Sequence, residues 1–148
     1  MPEVSDVVEG ESSTSSEGTG LWACLHAGDA YRLMDFLVNG LGFVAAVVVG
    51  DDSVVHHAEL LWPHGGGLMM GSARDVHGAR TFALTPGTFG CYLVTDDTDG
   101  LFRRSLDAGA IAINEPHDTD FGSRQAVVQD FEGNQWSFGS YHGARHTS

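Results

Sequence analysis

Residues of types that do chemistry are spread along this 148-residue chain, and their spacing narrows what they can do. His57 and Glu59 stand two apart in the apolar run 54–62. Alternate residues of a strand share a face, so imidazole and carboxylate point the same way. They are placed to bond each other as a structural pair, to contact one bound group, or to act as an acid–base couple. The neighbouring His56 points to the opposite face, which rules out a two-His site on this strand. Trp22, Cys24 and His26 alternate in the same manner in 21–27, as do Cys91 and Leu93 in 88–95; Ser137 lies in 135–141. With His57 and Glu59 they are the expected ligand-facing set. Trp22 offers a flat face to a planar or cationic ligand, or packs in the core. The two cysteines have neither disulfide-framework nor zinc spacing and are expected to be free thiols. His64, His77, His117, His142 and His146 fall in loops or the tail, where solvation is the default. Arg124 is expected to tie its loop to a carboxylate, the alternative being an anionic ligand.

Composition excludes several partners. The formal charge is −13, and all seven basic residues are arginine. No basic patch can form to neutralise phosphates, so neither nucleic acid nor an anionic membrane surface is an expected partner. No apolar run reaches the length of a membrane span. Residues 1–20 carry five acids and no base and are read as a disordered tail; residues 142–148 are read as a flexible one. No apolar secretory core is visible in that tail, so the expected compartment is the cytoplasm.

The elements that position these residues come in a repeated order. Residues 21–27 form a strand. Asp29 caps a helix over 30–39, with Leu33, Met34, Leu37 and Leu41 as its apolar stripe and Gly40 and Gly42 ending it. Strands follow at 43–49, 54–62 and 68–71, then a long Gly- and Arg-rich connection over 72–87. The order restarts with a strand at 88–95, a helix over 97–108, a strand at 110–115, a polar loop over 116–123, and strands 124–131 and 135–141 around the turn Glu132-Gly133-Asn134. Asp130 is placed to bond the turn backbone. The fold class is α+β: two tandem βαβββ modules, about 21–72 and 88–141, forming one domain of curved mixed sheets around a cavity. At an offset of about 67, Cys24 meets Cys91, Asp29 meets Asp96, Gly42 meets Gly109 and Ala45 meets Ala112. By alternation, Ala23, Leu25 and Ala27 pack on the first helix, as Trp136 and Phe138 do on the second, while Gln135 and Ser137 face the cavity.

The run His57-Ala58-Glu59-Leu60, the Ala108-Gly109-Ala110 after the second helix, the Phe121-Gly122-Ser123-Arg124 stretch, and the pattern D-x-E-G-N-x-W-S-F-G over 130–139 resemble the vicinal oxygen chelate superfamily of glyoxalases, bleomycin-resistance proteins and dioxygenases. The resemblance covers about 21–141; Phe131 stands where the family usually has proline. It implies the paired-module fold and, in many members, a divalent metal held by His, Glu or Gln from the first and fourth strands of each module. Carried over, those positions are Trp22, Met70 or Met69, Cys91 and Ser137. Such a set cannot build an oxygen- and nitrogen-ligated site, and Cys91 with Met70 alone is a poor soft-ion site. The expectation is a metal-free branch with no cofactor. The first functional expectation is a homodimeric, metal-independent protein of the glyoxalase/bleomycin-resistance type that sequesters an antibiotic or another aromatic or cationic metabolite, and so serves antibiotic resistance. The alternatives are a glyoxalase-type lyase or isomerase using His57 and Glu59, and an accessory protein-interaction module.

Overall fold

The computed structural model describes residues 19–73 and 84–145. Most of the expected N-terminal tail, much of the 72–87 connection, His77 and His146 lie outside these residues. β1 (Ala23–Ala27) leads into helix α1 (Ala30–Asp35), which continues without a break as a π-helical turn (Phe36–Leu41). β2 (Val44–Gly50), β3 (Val55–Leu61) and β4 (Gly67–Ser72) complete the first module. The second comprises β5 (Gly90–Val94), α2 (Thr98–Asp107), β6 (Ile111–Asp118), β7 (Arg124–Gln129) and β8 (Gln135–Gly139). The sheets have orders β1-β4-β3-β2 and β5-β8-β7-β6, with β1–β4 and β5–β8 parallel and all other pairs antiparallel. The expected α+β, two-module architecture is thus the observed one.

Measured from the capping aspartate to the closing glycine, the two helical segments differ in length by one residue, and that residue matters. The Asp29 carboxylate accepts the N–H of Arg32 and caps α1; the Asp97 carboxylate accepts that of Gly100 and caps α2. The caps are 68 residues apart, but the glycines that close the helices, Gly42 (φ 104°) and Gly109 (φ 107°), are 67 apart. The extra residue of α1 is absorbed by the π-helical turn, where Gly42 N–H reaches the Leu37 carbonyl five residues back. The helix therefore runs through Gly40 to Leu41, and Gly40 is buried inside it rather than ending it. β6 also extends through Pro116, where a polar loop was expected. Proline is tolerated there because β6 is an edge strand.

Packing joins the modules through their helix-bearing sides. Leu25, Leu33, Leu37, Leu60 and Met70 of the first module share one buried cluster with Leu93, Phe102, Val128, Trp136 and Phe138 of the second. Each fully buried side chain of this size contributes about 1.5–3 kcal/mol. Phe43 lies 4.9 Å from Trp62 and 6.0 Å from Trp136, centroid to centroid, and bridges the halves. The hairpin turns then dock reciprocally. Glu132, in the β7–β8 turn, accepts the N–H groups of Gly28 (2.9 Å) and Asp29 (2.6 Å) ahead of α1. Beside it, the Arg32 guanidinium sits 3.8 Å from the Phe131 ring centroid, which gives Phe131 a task proline could not perform. Trp62, at the β3–β4 turn, donates from Nε1 to the Val94 carbonyl at 2.9 Å.

Arg124 is an anchor within its own module. Its Nε donates to Asp99 Oδ1 at 2.8 Å and its Nη1 to Asp118 Oδ1 at 3.1 Å. The hydrogen bond from Arg124, with its charge, holds the Asp99 carboxyl below the usual carboxylate range. A carboxylate lowered in the folded state stabilises above its unfolded pKa, and that stability disappears as pH falls through the folded value. Asp99→Asn is therefore expected to lower the urea midpoint slightly at neutral pH, with the difference from the parent closing on acidification. The effect is small because both partners are exposed. A difference of constant size down to acid pH would mean the ion pair contributes nothing.

Candidate functional site

Each sheet has one face under its helix and one face free of helices. Because the helix-bearing sides meet in a single core, the open faces lie outside it, and no strand of one sheet pairs with a strand of the other. Strand register sorts the side chains. Cys24 pairs with Met69, and Met69 with Glu59, so these three form one row across the open face of the first sheet. His26 is one strand pleat further on, and His57 shares the Glu59 face. Trp22 lies across Gly67: a Cβ there would come within 2.9 Å of the indole Cζ3. Residues of the opposite set, Leu25, Ala27, Ala58, Leu60 and Met70, are buried under α1. The register resolves the sequence choice between Met69 and Met70: Met69 is on the open face and Met70 in the core.

His57 Nε2 and Glu59 Oε2 are 2.8 Å apart. Their side chains keep 42% and 27% of their exposure, so the pair is shielded by its neighbours yet reachable by a ligand. It can hold a polar group of that ligand, or shuttle a proton if the chemistry calls for one.

On the second sheet the expectation is half corrected. Ser137 is on the open face, facing Val127 and Tyr92. Cys91 and Leu93 are not: they pair with Trp136 and Phe138 and point toward α2. Leu93 is 4% exposed, and burial pushes the Cys91 thiol pKa up, as befits an inert thiol. Tyr92 takes the open-face position instead, donating its hydroxyl to the Tyr141 carbonyl at 2.8 Å. The internal repeat gives the same register once the one-residue difference between the helical segments is counted. An offset of 67 is right after the helices and wrong before them, where Asp29 matches Asp97 and Leu25 matches Leu93. In a strand, a shift of one residue moves every side chain to the other face. The signal was present in the matched helix caps, had Asp97 rather than Asp96 been aligned with Asp29.

The chain's own donors can be tested against the metal that the resemblance implies. The open-face positions of the first and fourth strands of each module carry Trp22, Cys24 and His26; Met69 between Gly67 and Gly71; Tyr92; and Gln135 and Ser137. Among the described residues no three His, Cys, Asp or Glu side chains gather as a metal-binding group. A hard or borderline divalent ion needs several oxygen or nitrogen donors converging on one point, and this set does not fit it. Cys91 and Met70 both point into the core and do not form a soft-ion pair at the site. A separate groove of about 360 Å³ lies at the module junction, between Trp62 and His64 on one side and Asp97 and Arg104 on the other. It belongs to neither open face. No helix among the described residues is long and apolar enough to cross a membrane.

Known proteins share this architecture. TioX from Micromonospora sp. ML1 is 28% identical, with a TM-score of 0.68 over 82% of this chain and 98% of that one. A glyoxalase/bleomycin resistance protein from Streptomyces sp. CB03234 is 23% identical, with a TM-score of 0.59 over 79% of this chain and 96% of that one, a likeness of fold. An uncharacterized protein of Mycobacterium bovis is 30% identical over 117 residues, covering 75% of this chain and 76% of that one. Residues 21–138, nearly all of both modules, match the family model described as the Glyoxalase/Bleomycin resistance protein/Dioxygenase superfamily. With the paired modules, the hairpin motif and these matches in agreement, the chain belongs to that superfamily.

Proposed function

We propose that this protein is a metal-independent small-molecule-binding protein of the bleomycin-resistance type, which acts as a homodimer and sequesters an aromatic compound. One observation carries the reading: each sheet keeps a broad uncovered face, and among the described residues those faces hold two aromatics, a thioether and polar groups but no donor set suited to a divalent ion. Val44, Val49, Leu61, Tyr92 and Ile111 are 54, 48, 38, 38 and 56% exposed in the single chain. By register, all five are on open faces. Apolar surface of this extent favours a covering partner. A two-fold axis that sets the first sheet of one copy against the second sheet of another covers both faces twice and encloses two cavities. Trp22 and Met69 then face Tyr92 and Ser137 across the bound compound.

The test is a thermal-shift screen of aromatic and cationic compounds, including glycopeptide and other aromatic antibiotics, alongside sedimentation equilibrium. A ligand at 100 times its Kd stabilises by about 2.7 kcal/mol, a rise in Tm of roughly 5–10 °C for a domain of this size. A chain that stays monomeric at tens of micromolar, or a screen in which no compound raises Tm, would defeat the proposal.

The His57–Glu59 contact at 2.8 Å favours one second reading, a lyase or isomerase that uses the pair as acid and base. Metal analysis of protein purified without chelator separates the two. A stoichiometric divalent ion would support the enzyme and overturn the metal-independent reading.

A further inference from the structure

The two open faces differ in chemistry, and the difference specifies a ligand. The first sheet contributes the indole of Trp22, the Met69 thioether and the paired His57 and Glu59. The second contributes amides. Register sets Gln129 opposite Gln135, Gln125 opposite Gly139, and Asn114 opposite Val127, all on the open face with Ser137. The chain has three glutamines and three asparagines. Every glutamine is on this one face, with Asn114. The other two asparagines are engaged: Asn39 Nδ2 donates to Asp35 and Asn134 Nδ2 to Asp130. Among the described residues, the side-chain amides of Gln125, Gln129, Gln135 and Asn114 have no hydrogen-bond partner. In a chain with 20 acidic residues, β5, β7 and β8 contain no carboxylate, and their one base, Arg124, is held by Asp99 and Asp118.

A wall of amides presents donors beside acceptors and, on β5, β7 and β8, no unpaired charge; the edge strand β6 adds one titratable group, His117, opposite Gln125. Such a wall matches the edge of a carboxamide, lactam or peptide group, which is likewise a donor beside an acceptor. An ionic group pressed against it would lose its hydration without a counter-charge. The opposite wall, with its indole and thioether, suits a ring face. Resting on the shared-cavity reading above, we infer that the ligand is an uncharged planar molecule bearing carboxamide or lactam groups. Its polar edge is read by Gln125, Gln129 and Gln135, and its ring face packs on Trp22 and Met69.

The test uses four probes of one ring system on the full chain: 2-methylnaphthalene, naphthalene-2-carboxamide, 2-naphthoate and 2-naphthyltrimethylammonium, titrated by tryptophan fluorescence. The carboxamide is expected to bind on the order of tenfold more tightly than either ion. Gln129→Leu with Gln135→Leu is expected to remove roughly tenfold of the carboxamide affinity and to leave 2-methylnaphthalene unaffected. Gln129→Leu alone is expected to give a smaller loss of the same kind and serves if the double variant does not fold. If an ion binds as tightly as the carboxamide, or the leucine variants keep the amide preference, the inference is overturned while the binding reading stands. If none of the four binds, the binding reading falls and this inference with it.

Discussion

Asp130→Ala is expected to destabilise the protein by on the order of 4 kcal/mol, a large share of the 5–15 kcal/mol of a typical domain. The Asp130 carboxylate is 2% exposed and is satisfied from five directions. Oδ1 accepts the backbone N–H groups of Glu132, Gly133 and Asn134 at 2.9, 3.0 and 3.1 Å. Oδ2 accepts Asn134 Nδ2 at 3.0 Å and Trp136 Nε1 at 2.8 Å. Asn134 and Trp136 are fully buried, so their donors cannot turn to water when the carboxylate goes. Each stranded buried donor costs about 1–3 kcal/mol, with some relief from a water entering the vacated space. Asp130→Asn is the sharper probe. It keeps the volume but places an NH₂ against donors on one side, and about half the loss should remain. Urea unfolding monitored by tryptophan fluorescence measures both; a loss under 1 kcal/mol for the alanine variant would falsify this account of the turn. The consequence reaches the other module, because the same turn holds Glu132 against the start of α1.

Gly40→Ala is expected to cost about 1–3 kcal/mol, even though alanine is the better helix former by about 1 kcal/mol. A Cβ at position 40 would lie 2.8 Å from the Ala108 Cβ and 3.1 Å from the Phe36 ring. This is where the π-helical turn crosses the end of α2, and Arg104 Nε bonds the Asn39 carbonyl at 3.0 Å alongside. Overpacking there pushes the modules apart. Ala108→Gly, at the C-cap of α2, removes the opposing methyl at little helical cost. The double variant is therefore expected to recover most of the loss. A double-mutant cycle measures this directly, and additive effects would mean that the two positions do not touch.

The sequence carried the fold because its signals are local. The Asp29 cap, the stripe Leu33, Met34, Leu37, and the alternation of Trp136 and Phe138 depend on neighbours a few residues away, and each is as expected. The Asp130 turn was legible for the same reason. The open-face positions of Cys24, His26, His57, Glu59 and Ser137 follow from strand period alone. What failed was the phase of the fifth strand: alternation allowed either set to face outward, Cys91 and Leu93 were taken as that set, and the open-face Tyr92 was missed. Glu132, Phe131 and Trp62 were not legible as module contacts. Their partners Gly28, Arg32 and Val94 are far away in sequence, and nothing local marks them.

Periodicity and spacing by themselves determined that the chain folds as two βαβββ modules and has the hairpin motif of its superfamily. Only the tertiary structure decided how those modules meet. They join through helices and hairpin turns, which leaves the helix-free faces outward, one with Trp22 and Met69 and the other with the chain's glutamines. The physical reason is range. Strand alternation and helix caps are fixed by bonds between near neighbours. Which faces pack together depends on the free energy of burying surfaces distant in sequence.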